Sequence, residues 1–279
     1  MTVRQPLRIA KPLTALALVA ILGACAADEE VRLEDTAPEV IYQEAERQLA
    51  AGDPDDAAQL FSEVERLYPF SEWARRGLIM QAFAYHEDRD YENARAAAQR
   101  FIDFYPADED AAYAQYLLAL SYYDQIDQVG RDQGLTFQAL QNLRTVIERY
   151  PDSEYARSAI LKFDLAFDHL AAKEMEIGRY YLKRGHYAAA INRFRAVVEE
   201  FQTTTHTPEA LLRLVEAYLS LGLTDEAQTA GAILGYNFQS SPFYDDAFRQ
   251  LTGQGLSLEA RGGGWLRGIY DRTIRGRWL

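Results

Sequence analysis

Few side chains in this 279-residue sequence are equipped for covalent or metal chemistry. It holds one cysteine, Cys25, and four histidines, His86, His169, His186 and His206. The histidines are scattered and form neither a His-x-x-x-His nor a His-x-x-Glu-His pair, the spacings that set two imidazoles on one helix face, so no metal site is expected. Gly262-Gly263-Gly264 precedes no Lys-Ser/Thr pair and follows no strand pattern, which argues against a phosphate loop. There is no Gly-x-Ser-x-Gly elbow. Carboxylate pairs such as Asp55-Asp56 and Glu199-Glu200 fall at turns and on helix faces, where solvation accounts for them. The expectation is a non-catalytic protein that needs no cofactor and whose one reactive group is Cys25.

The surroundings of Cys25 give that thiol a use. Arg4, Arg8 and Lys11 stand without an acid nearby, and an uncharged run from Leu13 to Leu22 follows, the layout of a secretory signal peptide. About ten apolar residues are too few to cross a hydrocarbon core of roughly 30 Å as a helix. Leu22-Gly23-Ala24-Cys25 resembles the bacterial lipobox, at which the thiol is diacylated, the chain is cut before the cysteine and the new amino terminus is acylated. A lone thiol cannot form an internal disulfide, whereas several acyl chains anchor stably, at about 0.8 kcal/mol for each buried methylene. The competing reading is an incidental cysteine beside an ordinary Ala-x-Ala cleavage site. Ala26 follows where an Asp would resemble an inner-membrane address, so the expected location is the outer membrane, held through lipid on Cys25. Loss of the three positive charges before Cys25 takes the net charge from −13 to −16, which argues against nucleic acid as a partner.

The elements that would carry a binding surface emerge from an internal repeat. Alanine recurs at Ala57, Ala94, Ala139, Ala190 and Ala227, at spacings of 37, 45, 51 and 37 residues. Seven residues after each stands Val64, Phe101, Val146, Val197 or Leu234, and eleven after each an aromatic: Tyr68, Tyr105, Tyr150, Phe201 or Phe238. Five residues before each alanine the pattern reads Gly52, Arg89, Gly134, Gly185 and Gly222, which predicts tight turns with positive φ at the glycines. Pro69, Pro106 and Pro151 follow three of the aromatics and end their helices. A hairpin cannot bury its apolar face alone, so consecutive hairpins must stack. The pattern resembles the tetratricopeptide repeat, with insertions in the third and fourth units and Arg89 in place of one turn glycine.

The predicted fold class is therefore all-α, a tetratricopeptide-like helical-hairpin solenoid of about five repeats preceded by a lipoprotein signal peptide. Helices are expected at about 38–50, 54–67, 71–88, 91–104, 108–126, 135–149, 153–183, 187–201, 208–221 and 224–235, with an inserted loop at 127–134. The expected organisation is a signal peptide at 1–24, a lipidated tether at 25–37, the solenoid at 38–239 and a tail at 240–279. Arg261 to Leu279 holds five arginines against one aspartate, with Leu266, Tyr270, Ile274 and Trp278 at four-residue spacing. That outline fits a basic amphipathic segment that lies on anionic lipid or packs on an acidic partner, or a tail that folds back on the acidic solenoid.

Several segments narrow the resemblance. Ile41-Tyr42, Arg66-Leu67-Tyr68-Pro69-Phe70-Ser71, Arg100-Phe101-Ile102, Tyr150-Pro151-Asp152-Ser153, Gly178-Arg179-Tyr180-Tyr181, Arg184-Gly185 and Ile191-Asn192-Arg193 are similar to the BamD family, the lipoproteins of the β-barrel assembly machine. The similarity spans about residues 25–236. It implies a scaffold at the periplasmic face of the outer membrane. The implied partners are the barrel-forming subunit with its periplasmic POTRA-type domains, other lipoproteins of the complex, and unfolded outer-membrane proteins. In that family the first half of the solenoid receives substrate and the second half docks the barrel-forming subunit. Arg193, with Asn192 beside it, is thereby a candidate for holding a partner carboxylate through two parallel hydrogen bonds. Tyr85 and Tyr122 are candidates for the substrate groove, phenol rings adding apolar area and a hydrogen bond. An alternative client set is peptidoglycan or cell-division proteins organised by a lipid-anchored repeat adaptor, although no sustained heptad accompanies the repeats.

Overall fold

The computed structural model describes residues 33–278. Among them are twelve α-helices and no strand. The signal peptide, the lipobox and Cys25 lie outside the described residues. Ten helices make five hairpins: α1 (Pro38–Ala51) with α2 (Pro54–Leu67), α3 (Glu72–Glu87) with α4 (Tyr91–Phe104), α5 (Ala111–Tyr123) with α6 (Gly134–Arg149), α7 (Glu154–Lys183) with α8 (Tyr187–Glu200), and α9 (Thr207–Ser220) with α10 (Thr224–Asn237). The last two, α11 (Pro242–Gly253) and α12 (Trp265–Thr273), close the C-terminal end. Each helix in the stack packs on the next, and the first helices of successive hairpins also touch: α1 with α3, α3 with α5, α5 with α7 and α7 with α9.

The repeat positions hold the stack together. All five alanines and all five residues seven positions later are fully buried, because that spacing returns to the same helix face after two turns. At each of the five aromatics the backbone leaves the helix, with φ between −121° and −133°, while its N–H still donates to the carbonyl four residues back. A tight turn then leads into the next hairpin, and Ser71 illustrates how it ends: its hydroxyl accepts from the Ala74 N–H at 3.0 Å, capping α3.

The turns between paired helices depart from the glycine pattern in one place. Gly52, Gly185 and Gly222 have φ of 93°, 75° and 74°, as their spacing predicts, and Arg89 adopts the same left-handed turn at 62°. Gly134 does not. The insertion makes residues 124–133 the connection, so Gly134 becomes the first residue of α6 and no sharp reversal is needed there.

Helix α7 runs 30 residues, about 45 Å at 1.5 Å per residue. With no proline and only Gly178 inside, nothing interrupts it. Its first half joins the core formed with α5 and α6 through Ala159 and Phe163, and its second half joins the core formed with α8 to α12 through Leu170, Ala171 and Met175. Phe194 of α8 fits against Gly178, where a Cβ would lie within 2.8 Å of the ring.

The described end of the expected tether, from Leu33, and much of the expected tail belong to the folded body. Leu33 packs on the first hairpin, and the Tyr68 hydroxyl donates to the Thr36 carbonyl at 2.6 Å. At the other end α11 begins at a Ser241 cap with Pro242 and buries Ala247 and Leu251. The strap after it satisfies two buried side chains of α10: Gln228 donates to the Ser257 carbonyl at 2.9 Å, and the Thr229 hydroxyl donates to the Arg261 carbonyl at 2.7 Å. In α12 the buried face is Leu266, Ile269 and Thr273 rather than the four-residue stripe, since three- and seven-residue steps hold one face more closely than repeated fours. Tyr270 is half-buried, Ile274 is exposed, and Trp278 packs edge-on against Phe238 at 6.4 Å.

Candidate docking site

Helices α6 and α8 flank α7 where its two halves meet, and an open groove lies between them. Helix α8 buries Ala190, Phe194, Val197 and Val198, which turns Asn192 and Arg193 toward the groove. One recess of about 500 Å³ is lined by Phe137, Glu174, Tyr181, Asn192 and Arg193. A second, of about 380 Å³, is lined by Leu140, Arg144, Phe163, Phe167 and Leu170. The two share Phe137, Glu200 and Phe201, so they form one continuous surface.

The polar end of the groove centres on Arg193. Its Nη1 donates to both oxygens of Glu174 on α7, at 3.1 and 3.4 Å. The Arg193 side chain keeps 44% of its surface exposed, so a further carboxylate has access to the guanidinium. The apolar end offers ring faces: Phe163 and Phe167 stack at 5.8 Å, Phe167 meets Phe201 at 4.9 Å, and the Arg144 guanidinium lies 5.5 Å from the Phe163 ring. Phe137 stands at the rim with 60% of its surface in solvent. An apolar floor beside a charged end is suited to anchoring a protein segment that carries a carboxylate.

In the first half, Tyr85 and Tyr122 are half-buried and lie against different clusters, Tyr85 on the first hairpin and Tyr122 on the second. The Arg95 guanidinium covers the Tyr122 ring at 4.7 Å. Tyr155, near the start of α7, packs on Tyr113 at 5.1 Å and Tyr116 at 5.5 Å, both of α5, and burial pushes the Tyr113 phenol well above its ordinary pKa. Glu174, Phe137 and Arg144 escaped the sequence reading. Glu174 lies 19 residues before Arg193 in another helix, and no local spacing joins them; for Phe137 the sequence shows only an apolar residue close after the inserted loop, and its exposure is decided by the packing.

Among the described residues no group of three His, Cys, Asp or Glu side chains is arranged to hold a metal, and no helix is long and apolar enough to cross a membrane. Stacked hairpins with an open, mixed apolar and charged groove define a tetratricopeptide-like helical-repeat protein with the architecture of a binding scaffold. More narrowly, the chain belongs to the YfiO family, described as an outer membrane lipoprotein, whose model matches residues 34–233. It is 45% identical over 272 residues to the outer membrane protein assembly factor BamD of Caulobacter vibrioides, covering 96% of this chain and 89% of that relative. The protein of the same name from Rickettsia prowazekii is 40% identical over 245 residues, covering 87% and 97% of the two chains. That of Neisseria meningitidis serogroup A is 31% identical over 254 residues, covering 86% and 95%.

Proposed function

We propose that this chain is a non-catalytic scaffold of the outer-membrane β-barrel assembly complex, anchored at the periplasmic face by lipid on Cys25. The groove between α6 and α8, with Arg193 at its charged end, carries the reading: it is an open surface suited to a folded partner domain with a projecting carboxylate. The partner is the barrel-forming subunit, docked through a periplasmic POTRA-type domain against Arg193 and Asn192. The first half, with Tyr85 and Tyr122, receives unfolded outer-membrane proteins, and other lipoproteins of the complex join the assembled pair. Relatives named outer membrane protein assembly factor, similar along nearly their whole length, support the same role.

The test is a mild-detergent pull-down of the tagged protein from outer membranes, with partners identified by mass spectrometry and Cys25→Ala as control. A barrel protein with periplasmic repeat domains, recovered in stoichiometric amount, is the expected result. Recovery of cell-wall synthases or division proteins without that barrel would overturn it, and wild-type membrane retention of Cys25→Ala would remove the lipid anchor.

A further inference from the structure

The C-terminal end of the fold presents positive charge that the packing does not use. Arg249, Arg261 and Arg267 are each paired with a carboxylate: Asp246, Glu259 and Asp271 respectively. Arg272, Arg275 and Arg277 are different. All three are exposed, and none has a side-chain partner among the described residues.

The backbone brings these three together. Helix α12 ends in a turn built on Gly276, with φ of 63°: the Gly276 N–H donates to the Thr273 carbonyl at 2.9 Å, and the Arg277 N–H returns to the Arg272 carbonyl at 2.9 Å. Arg277 is thereby folded back beside Arg272, with Arg275 on the turn between them. Trp278 then enters the core against Phe238, which pins the turn from behind. The arginines are held outward on a fixed support.

The chemistry of this tip selects its ligand. The side chains that would enter a bilayer, Leu266, Ile269 and Trp278, are buried in the solenoid, so contact by insertion is not available. Ile274 stands alone among the arginines at 47% exposure, which is too little to form the apolar centre that a protein interface closes around. Three exposed guanidiniums around this turn instead match a plane of phosphates, each fork donating to two oxygens. The chain as a whole has a net charge of −13 and is repelled by such a plane elsewhere, and membership of an outer membrane lipoprotein family puts phospholipid headgroups within its reach. We propose that Arg272, Arg275 and Arg277 form a headgroup-level contact for anionic phospholipid, which holds the α12 end of the solenoid at the leaflet. The inference does not depend on the groove between α6 and α8.

Tryptic footprinting of the full chain reconstituted in vesicles tests it. Cleavage after Arg272, Arg275 and Arg277 is compared with cleavage after the exposed Arg157, in phosphatidylcholine alone and in phosphatidylcholine mixed with phosphatidylglycerol. Each arginine near an anionic leaflet favours contact by a factor of roughly five, so the anionic lipid should slow cleavage at the tip at least about tenfold, leave Arg157 unchanged, and lose its effect at high salt. Equal rates in the two lipids would overturn the proposal. A second arm uses Arg272→Gln/Arg275→Gln/Arg277→Gln, with cleavage after Arg261 as the reporter: protection of Arg261 by the anionic lipid in the parent chain should vanish in this variant. Persisting protection would point to a cause other than these charges. Protection that instead requires other subunits of the complex and appears equally in phosphatidylcholine would assign the tip to an acidic protein and overturn the lipid reading.

Discussion

Arg193 of α8 and Glu174 of α7 meet side by side at the polar end of the groove, with Nη1 3.1 Å from Oε2, so the guanidinium that a partner would approach already holds a carboxylate of its own chain. That pairing gives the docking proposal an internal competitor. Hydrogen bonds to a charged group contribute about 1.5–3 kcal/mol, and Arg193→Glu should weaken capture of the barrel-forming subunit by about that amount. Glu174→Gln should act in the opposite direction by freeing the guanidinium. Titration of the purified partner domain against both variants checks this, and unchanged affinity in Arg193→Glu would sink the site.

The contact between Gly178 and Phe194 predicts an unusual sign for a glycine-to-alanine change inside a helix. Alanine normally gains about 1 kcal/mol over glycine there. Here the added methyl would overlap the buried Phe194 ring, so Gly178→Ala should destabilise by about 1–3 kcal/mol net. Urea unfolding measures it, and a midpoint equal to or above that of the parent chain would contradict the close approach.

Arg89 occupies the left-handed turn that glycine fills in three of the other hairpins. A side chain in that conformation costs roughly 1–2 kcal/mol, part of which glycine returns as unfolded-state entropy. Arg89→Gly should therefore raise stability by up to about 1 kcal/mol. A fall in the thermal midpoint would mean that Arg89 makes a compensating contact.

The C-terminal segment closes the solenoid core, and Ile269 is fully buried in it. Ile269→Ala should cost about 2–4 kcal/mol and loosen the second half of the molecule before the first. Hydrogen exchange resolved along the chain reads both effects. Unchanged protection in α9 and α10 would show that the segment is dispensable for the fold.

What the sequence determined by itself is whatever depends on neighbours along the chain. The buried face from Ala57 to Val64, and its four counterparts, follows from the helical period. The break at Tyr68 and its equivalents follows from an aromatic placed where the apolar face ends, often before proline. The long α7 follows from an uninterrupted run. The turn at Gly134 fails the same logic because an insertion moved the connection elsewhere, which no count from Ala139 records. Only the tertiary structure decided the rest. Glu174 meets Arg193 because α7 and α8 pack antiparallel at one particular register. Leu266 and Ile269 turn inward because α10 offers them an apolar face, which leaves Arg272, Arg275 and Arg277 outside. Cys25, legible as a motif, lies beyond the described residues. Local periodicity sets which face of each helix is apolar. Which faces meet is set by how neighbouring hairpins stack, and the groove and the charged tip are products of that stacking.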